Sequence, residues 1–348
     1  MRYKFSHFLR TRVAMRLWGV GVLLAAAPGW ADVKPVVNRE YLPAVLQLIA
    51  EAKQTIDFLQ LEYHDDKVMR QVESALAEAV KRGVKVRGLL ENGIDFNAAG
   101  ARRLRDLGAM VKLDTPRKML HSKLVVVDGE RVLLGSSNWT GNSLANNNET
   151  NVRLDDPALA GFFLRYIEAL WADSQAEPEA PPVASGSVKT VVNRQYFPEV
   201  LALLQGAERQ IRVIMYGIKY DAKYAGSKVN QLVEALAAAQ ARGVDVAVIM
   251  DRSDYNDTLN QINEPAKQYL AGAGVAVYDD PIRITTHAKM ILADDRVLIG
   301  SANWGYDALE RRNETCVLIN EPEIAAFFRE YFDHPDRRAV HLGGEGAP

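Results

Sequence analysis

Two rhythms of apolar residues alternate along the chain. Residues 41–52 carry apolar side chains at helical spacing, and residues 55–61 form a short apolar run of strand length. Helical spacing returns over 68–82, in Ala- and Glu-rich sequence, and stops at Gly83, where a glycine suits the residue just past a helix end. A strand over 84–90, a helix over 99–107 and a strand over 109–113 follow. Residues 123–127 and 131–134 then read as two strands of a hairpin turning at Asp128-Gly129, and a last helix starts near Pro157. Strands alternating with helices, plus one hairpin, predict an α/β domain with a mixed sheet.

The whole pattern occurs twice. VVNREYLPAVL at Val36 returns as VVNRQYFPEVL at Val191, and RGVKVRGLLE at Arg82 returns as RGVDVAVIMD at Arg242. NETNV at Asn148 returns as NETCV at Asn313. Between the copies, residues 172–187 are rich in Pro, Ala, Glu and Ser and read as a linker. The expected organisation is two homologous domains, 32–171 and 188–335, followed by a tail, 336–348, with no order expected from His341 onward.

Composition adds a compartment. Residues 1–31 open with five basic and no acidic residues, continue through an uncharged apolar run to Ala27, and end Gly29-Trp30-Ala31. That is an export signal with cleavage before Asp32, too short to span a bilayer. The expected mature protein is periplasmic or secreted, has no integral membrane segment, and works as a monomer. The chain has 42 Lys and Arg against 44 Asp and Glu, and losing those five basic residues leaves the remainder at −7. Such a chain has no general affinity for polyanions. The one cysteine, Cys316, excludes an internal disulfide and a thiolate zinc cluster, and sits in an apolar run as a buried small hydrophobe.

The chemistry lies in one doubled phrase. HSKLVVVDGERVLLGSSN begins at His121 and HAKMILADDRVLIGSAN begins at His287. Residues two apart in a strand share a face, so His121 sides with Lys123 and His287 with Lys289. Ser136 and Asn138 share a face in the same way, as do Ser301 and Asn303. One such set is ordinary; two, kept at nearly constant spacing, are not explained by packing. Trp139 and Trp304 read as core anchors, and His64, His334 and His341 as solvated residues.

These residues resemble the HKD signature of the phospholipase D superfamily: His121, Lys123, Asp128 and Gly135-Ser136-Ser137-Asn138, then His287, Lys289, Asp294 and Gly300-Ser301-Ala302-Asn303. Glu149 and Glu314, eleven residues after each Asn, fit the same pattern. The resemblance implies two domains packed about a pseudo-twofold axis with both motifs in one site. It also implies a phosphohistidine on His121, with His287 as acid and then base. Lys123, Lys289, Asn138 and Asn303 then serve the phosphate oxygens, while Glu149 and Glu314 fix histidine tautomers. Asp128, Ser136, Asp294 and Ser301 are expected to be structural, and neither metal nor cofactor is called for.

The first expectation for function is hydrolysis of a phospholipid head-group phosphodiester. The alternatives are an endonuclease using the same chemistry on DNA or RNA, and a phosphatidyl transferase resembling cardiolipin synthase. The acidic balance favours lipid, because long nucleic acids draw affinity from many Lys and Arg contacts. A five-residue expansion in the second copy places Lys219, Tyr220, Lys223, Tyr224 and Lys228 in one loop, with Lys219, Tyr220, Lys223 and Tyr224 as candidate substrate contacts.

Overall fold

The structure, a computed structural model, describes residues 31–178, 180–337 and 340–342. The expected export signal therefore lies, except for Ala31, outside the described residues. In the first half the elements run β1 (Asp32–Val37), α1 (Tyr41–Glu51), β2 (Thr55–Gln60), α2 (Met69–Lys81), β3 (Lys85–Leu90), α3 (Asn97–Asp106) and β4 (Met110–Leu113). There follow β5 (Leu124–Val127), β6 (Arg131–Gly135), α4 (Gly141–Ala145), β7 (Thr150–Asp155) and α5 (Pro157–Ala172).

The second half repeats this after one added strand, β8 (Ala184–Ser185): β9 (Val188–Val192), α6 (Tyr196–Gln205), β10 (Gln210–Met215), α7 (Lys228–Ala241), β11 (Asp245–Met250), α8 (Asp257–Gly272) and β12 (Ala276–Asp279). It ends with β13 (Lys289–Ala293), β14 (Arg296–Gly300), α9 (Tyr306–Glu310), β15 (Thr315–Asn320), α10 (Pro322–Asp333) and β16 (Val340–Leu342).

The first sheet has the order β1-β7-β6-β5-β2-β3-β4, and the second contains the same order, β9-β15-β14-β13-β10-β11-β12. In each, three strands run parallel and the rest antiparallel, so both sheets are mixed. Two edges differ from the sequence reading. β8 lies inside the expected linker and pairs with β9, where Ser185 Oγ donates to Asp156 Oδ2 at 2.6 Å. β16 lies inside the expected tail and pairs with β12, so the backbone at His341 is ordered. Both are short strands in polar or Gly-rich sequence, recruited by a sheet edge and not by their own hydrophobicity. β1 and β7 were also not foreseen. Four of the six residues of β7, Thr-Asn-Val-Arg-Leu-Asp, are polar and hide its strand character.

The layers are helix, sheet, helix pair, sheet, helix. α1, α2 and α3 cover the outer face of the first sheet, and α6, α7 and α8 that of the second. Between the sheets lie α5 and α10, which contribute Phe162, Phe163, Ile167, Phe328 and Phe332 to one apolar core shared by both halves. Helix α5 starts where it does because Asp156 caps the Leu159 N–H at 2.8 Å and Pro157 takes the first helical position. Among the described residues no helix is long and apolar enough to cross a membrane.

The motif aspartates hold the hairpins. Asp128, at φ 55°, accepts the Lys53, Gln54 and Thr55 N–H groups at 2.7–3.2 Å, and Asp294, at φ 53°, accepts those of Glu208, Arg209 and Gln210. Asp294 thus fills the motif position, while its neighbour Asp295 pairs with Arg209 on the surface. Burial would raise both carboxyls, but the backbone donors prevail and hold them below their ordinary value. Asp128→Ala strands three N–H groups at the start of β2 and should destabilise the protein by about 2 kcal/mol. Asp128→Asn keeps an acceptor and tolerates the positive φ, so it should cost less, as denaturant titration of the two variants checks.

Candidate active site

Because β5 is antiparallel to β2, the residues entering it lie at the carboxyl ends of the parallel strands, the usual crevice of an α/β sheet. His121 stands there just before β5, and His287 just before β13. The two entrances are tied crosswise. The His121 N–H donates to the Asn313 carbonyl and the His287 N–H to the Asn148 carbonyl, both at 2.9 Å. Parallel bridges Leu120–Asn313 and Asn148–Thr286 extend each contact. Each motif is thus laid alongside the Asn-Glu-Thr segment of the other half.

That crossing decides which carboxylate meets which imidazole. His121 Nδ1 lies 2.9 Å from Glu314 Oε2, and His287 Nδ1 lies 3.1 Å from Glu149 Oε2. Each half lends its glutamate to the other's histidine. With Nδ1–H donating to a carboxylate, Nε2 carries the lone pair in each neutral ring. Burial above all pulls His121 down to about 3, and it lowers His287 as well. Both glutamates are also fully buried, yet the facing histidine and lysine hold each below its ordinary value.

Lys123 and Lys289 donate to the carbonyls of His121 and His287, the first at 2.6 Å. Burial lowers Lys123 to about 8 and Lys289 to about 7. Ser136 donates to Glu149 Oε2 at 2.5 Å while accepting the Thr150 N–H at 2.9 Å, and Ser301 repeats both bonds with Glu314 and Thr315. The glycine before each serine is required by close approach. A Cβ at Gly135 would collide with the Thr150 carbonyl, and one at Gly300 with that of Thr315.

The two sides are not identical. Asn138 Nδ2 donates to Glu62 Oε2 at 3.0 Å, whereas Gly217 stands at the matching place in the second half. Tyr216 packs edge-on against His287 at 4.8 Å and beneath Lys289, where the first half has Leu61. Glu149 Oε1 accepts from Ser143 at 2.5 Å and from Asn147 at 3.3 Å. Ala308 and Arg312 hold those positions opposite, and Glu314 Oε1 finds no donor among the described residues.

A ring of supporting groups escaped the sequence reading. Asn38 and Asn193, at φ 54° and 50°, each accept the N–H of their half's glutamate at 3.0 Å. Tyr331 and Tyr166, from the opposite half, donate to those asparagines at 2.7 and 2.9 Å. Behind the histidines, Glu91 accepts the Leu120 N–H and Asp251 the Thr286 N–H, both at 2.6 Å. Each has a carboxyl neighbour, Asp114 and Asp280 respectively, driven upward by burial first and by the neighbour's charge second. The signal was present, since each of these residues has its counterpart in the other copy, with Asp251 answering to Glu91. Polar residues kept at matched positions of a repeat are worth reading separately from the apolar ones.

Of the candidate loop contacts, Lys219 and Tyr224 line a cavity beside α7, while Lys223 is exposed and Tyr220 stacks on Tyr269 at 4.7 Å. Lys223 and Tyr220 do not line that cavity. The loop closes on itself through Asn230, which accepts the Asp221 N–H and donates to the carbonyls of Asp221 and Tyr224. Trp139 and Trp304 are fully buried, donating to Tyr41 and Tyr196 at 3.1 and 3.0 Å. His64 and His334 are exposed.

The paired carboxyls carry a pH signature. Asp114 is raised to about 8, against about 3.9 in an unfolded chain. Its contribution to stability is whole below the unfolded value and is lost as pH rises through the folded one. Asp114→Asn should therefore make the fall of stability between about pH 4 and 8 shallower by roughly one proton. Chemical denaturation of wild type and variant across that range measures the difference.

A protein-family profile described as "Cardiolipin synthase, PLD-like domain" matches residues 45–171 and 200–335. Cardiolipin synthase B of Salmonella typhi is 24% identical over 316 residues, covering 81% of this chain and 74% of its own. The major cardiolipin synthase of Bacillus subtilis is 25% identical, covering 83% and 65%. The crystal structure of phosphatidylserine synthase from Haemophilus influenzae superimposes with a TM-score of 0.71 at 13% identity, over 89% of this chain and 87% of that one, and shares the fold. With both halves matched around two crossed His–Glu pairs, the chain belongs to the phospholipase D superfamily, in the family of cardiolipin-synthase PLD-like domains.

Proposed function

We propose that this protein is a phosphatidyl transferase: it takes a phosphatidyl group from a phospholipid onto a histidine and passes it to an alcohol. Support for transfer over the hydrolysis expected from sequence comes from the relatives, cardiolipin synthases matched along most of the chain. The observation that carries the chemistry is the crossed pairing of His121 with Glu314 and His287 with Glu149. His121 Nε2 attacks phosphorus, the bond to the leaving oxygen breaks, and His287 gives that oxygen a proton. His287 then takes a proton from the acceptor hydroxyl, whose oxygen attacks phosphorus and releases His121. Lys123 and Lys289 face the non-bridging oxygens, with the amides of Asn138 and Asn303 beside them. Export is proposed with it, on the signal read in residues 1–31, and N-terminal sequencing of the protein recovered outside the cytoplasm should begin at Asp32.

The test is product analysis from phosphatidylglycerol micelles supplied with an acceptor alcohol. Phosphatidyl-alcohol should exceed phosphatidic acid, and His121→Ala should abolish both products together with any acid-labile phosphoenzyme. Phosphatidic acid alone would return the hydrolytic reading. Cleavage of DNA at physiological salt without lipid turnover would favour the endonuclease.

The lysines add a pH dependence. Lys289 lies at about 7 and Lys123 at about 8, so the free enzyme loses positive charge as pH rises through that interval. A bound phosphodiester anion restores the protons. The alkaline limb should therefore appear in kcat/KM near pH 7–8 and shift upward or vanish in kcat.

A further inference from the structure

The halves diverge most where residues 219–228 lengthen the connection between β10 and α7. In the first half this region is sealed: Asp66 Oδ2 accepts the Gly141 N–H at 2.6 Å, and a side chain at Gly141 would strike that carboxylate. Tyr306, largely exposed, takes the place of Gly141 in the second half. A cavity of about 670 Å³ lies between it and the longer connection, walled by Phe197, Tyr224, Val229 and Leu309. Its volume is that of a small-ligand site. At its edge Lys228 and Glu310 neutralise each other at 2.9 Å, which leaves Lys219 as the cation at the mouth. Lys219 and Tyr306 also line a smaller recess, of about 260 Å³, which reaches Asn303 and Tyr216 beside His287.

We propose that the 670 Å³ cavity receives one acyl chain of the phospholipid whose phosphate lies between the histidines. This rests on the lipid reading above. The phosphate sits at Lys289 and Asn303, Lys219 stands at the junction, and the chain passes Tyr306 into the apolar walls. Only the second half carries the longer loop and Tyr306, so the two-sided site gains a direction, with the donor's tail on one side. The loop gives the cavity a rim that includes Lys219 and Tyr224 and not Lys223, while α6, α7 and α9 supply the apolar walls Phe197, Val229 and Leu309.

The experiment uses monomeric short-chain phosphatidylglycerols of increasing acyl length, with an acyl-free aryl phosphodiester as control. Wild-type KM should fall by about fourfold per methylene entering the cavity. Gln231→Trp, which intrudes from α7, and Tyr306→Gly, which restores the first-half residue at an exposed position, should each flatten that dependence. Gln231→Trp should leave turnover of the aryl diester unchanged. Wild-type length dependence kept intact in both variants overturns the cavity assignment. Absence of any lipid turnover by the wild type overturns the lipid reading, and the cavity assignment with it.

A second, independent observation concerns the two histidines. Among the described residues, Glu149 accepts from Ser136, Ser143 and Asn147 besides His287, whereas Glu314 accepts from Ser301 and His121 alone, with Oε1 lacking a donor. A carboxylate with fewer competing donors concentrates its charge on its histidine. Phosphorylation at Nε2 makes the ring cationic, and Glu314 answers that charge better than Glu149. We infer that Ser143, set against Ala308, is a positioning residue that directs the phosphate to His121. Peptide mapping of the trapped phosphoenzyme tests this. Wild type should carry the label on His121, and Ser143→Ala combined with Ala308→Ser should move the ratio toward His287 by about tenfold or more. Ala308→Ser alone, which keeps Ser143, should move it part of the way. A label that stays on His121 in both variants overturns the role of Ser143, and a wild type with no phosphoenzyme overturns the covalent mechanism itself.

Discussion

The structure depends on an exchange of carboxylates between its halves. Neither half holds a complete histidine–glutamate pair, because Glu149 faces His287 and Glu314 faces His121. An imidazole buried without its acceptor would leave Nδ1–H unsatisfied, and a buried glutamate without its histidine would be an uncompensated charge. The demand reaches outward. Placing Glu149 requires Asn38 at positive φ, and Asn38 is held by Tyr331 from the far end of the chain. The mirror chain runs from Glu314 through Asn193 to Tyr166. The central helices α5 and α10 therefore hold the apolar core and the polar site in register at once.

Duplication supplies the symmetry, and small departures from it supply direction. A perfectly repeated site would treat its two histidines and its two mouths alike, although the proposed two-step transfer needs a nucleophile on one side and an acid on the other. The departures sit close to the chemistry without altering the motif: Glu62 against Gly217, Tyr216 against Leu61, Ser143 against Ala308. Each changes a hydrogen bond or a contact by one side chain. The larger departure, the loop at 219–228, borders a cavity, and its proposed role is in access and not in reactivity.

Most of this architecture was legible because the sequence was read against itself. The repeat located both motifs, the α/β alternation and the equivalence of the two sheets, and the turn chemistry of Asp128-Gly129 marked the first hairpin. β8 and β16 were missed for a physical reason: two- and three-residue strands owe their existence to a partner edge, which local sequence does not encode. The loop was noticed by its length and its charge, but the cavity beside it was not foreseen. Lys223 attracted attention as a cation and proved solvated, while the apolar Phe197 and Leu309, distant in sequence, form the wall. The partner of each glutamate is likewise a property of the crossing, and spacing within one copy does not reveal it.

The charges of the site explain how neutral histidines can run acid chemistry. Two glutamates held below their ordinary value are buried with two lysines that burial lowers to about 7 and about 8, and with two imidazoles that burial lowers as well. Burial is what keeps the rings and, in part, the lysines from holding protons. A phosphodiester brings one negative charge into that space and upsets the balance. The least costly correction is a proton, taken up onto the lysines and the histidine pair as the anion enters. In the proposed transfer, substrate binding would thereby create the imidazolium that the leaving oxygen needs, and departure of the product would remove the reason to keep it. On that proposal the acid is assembled by the substrate's own charge, with the buried His–Glu pairs behind it.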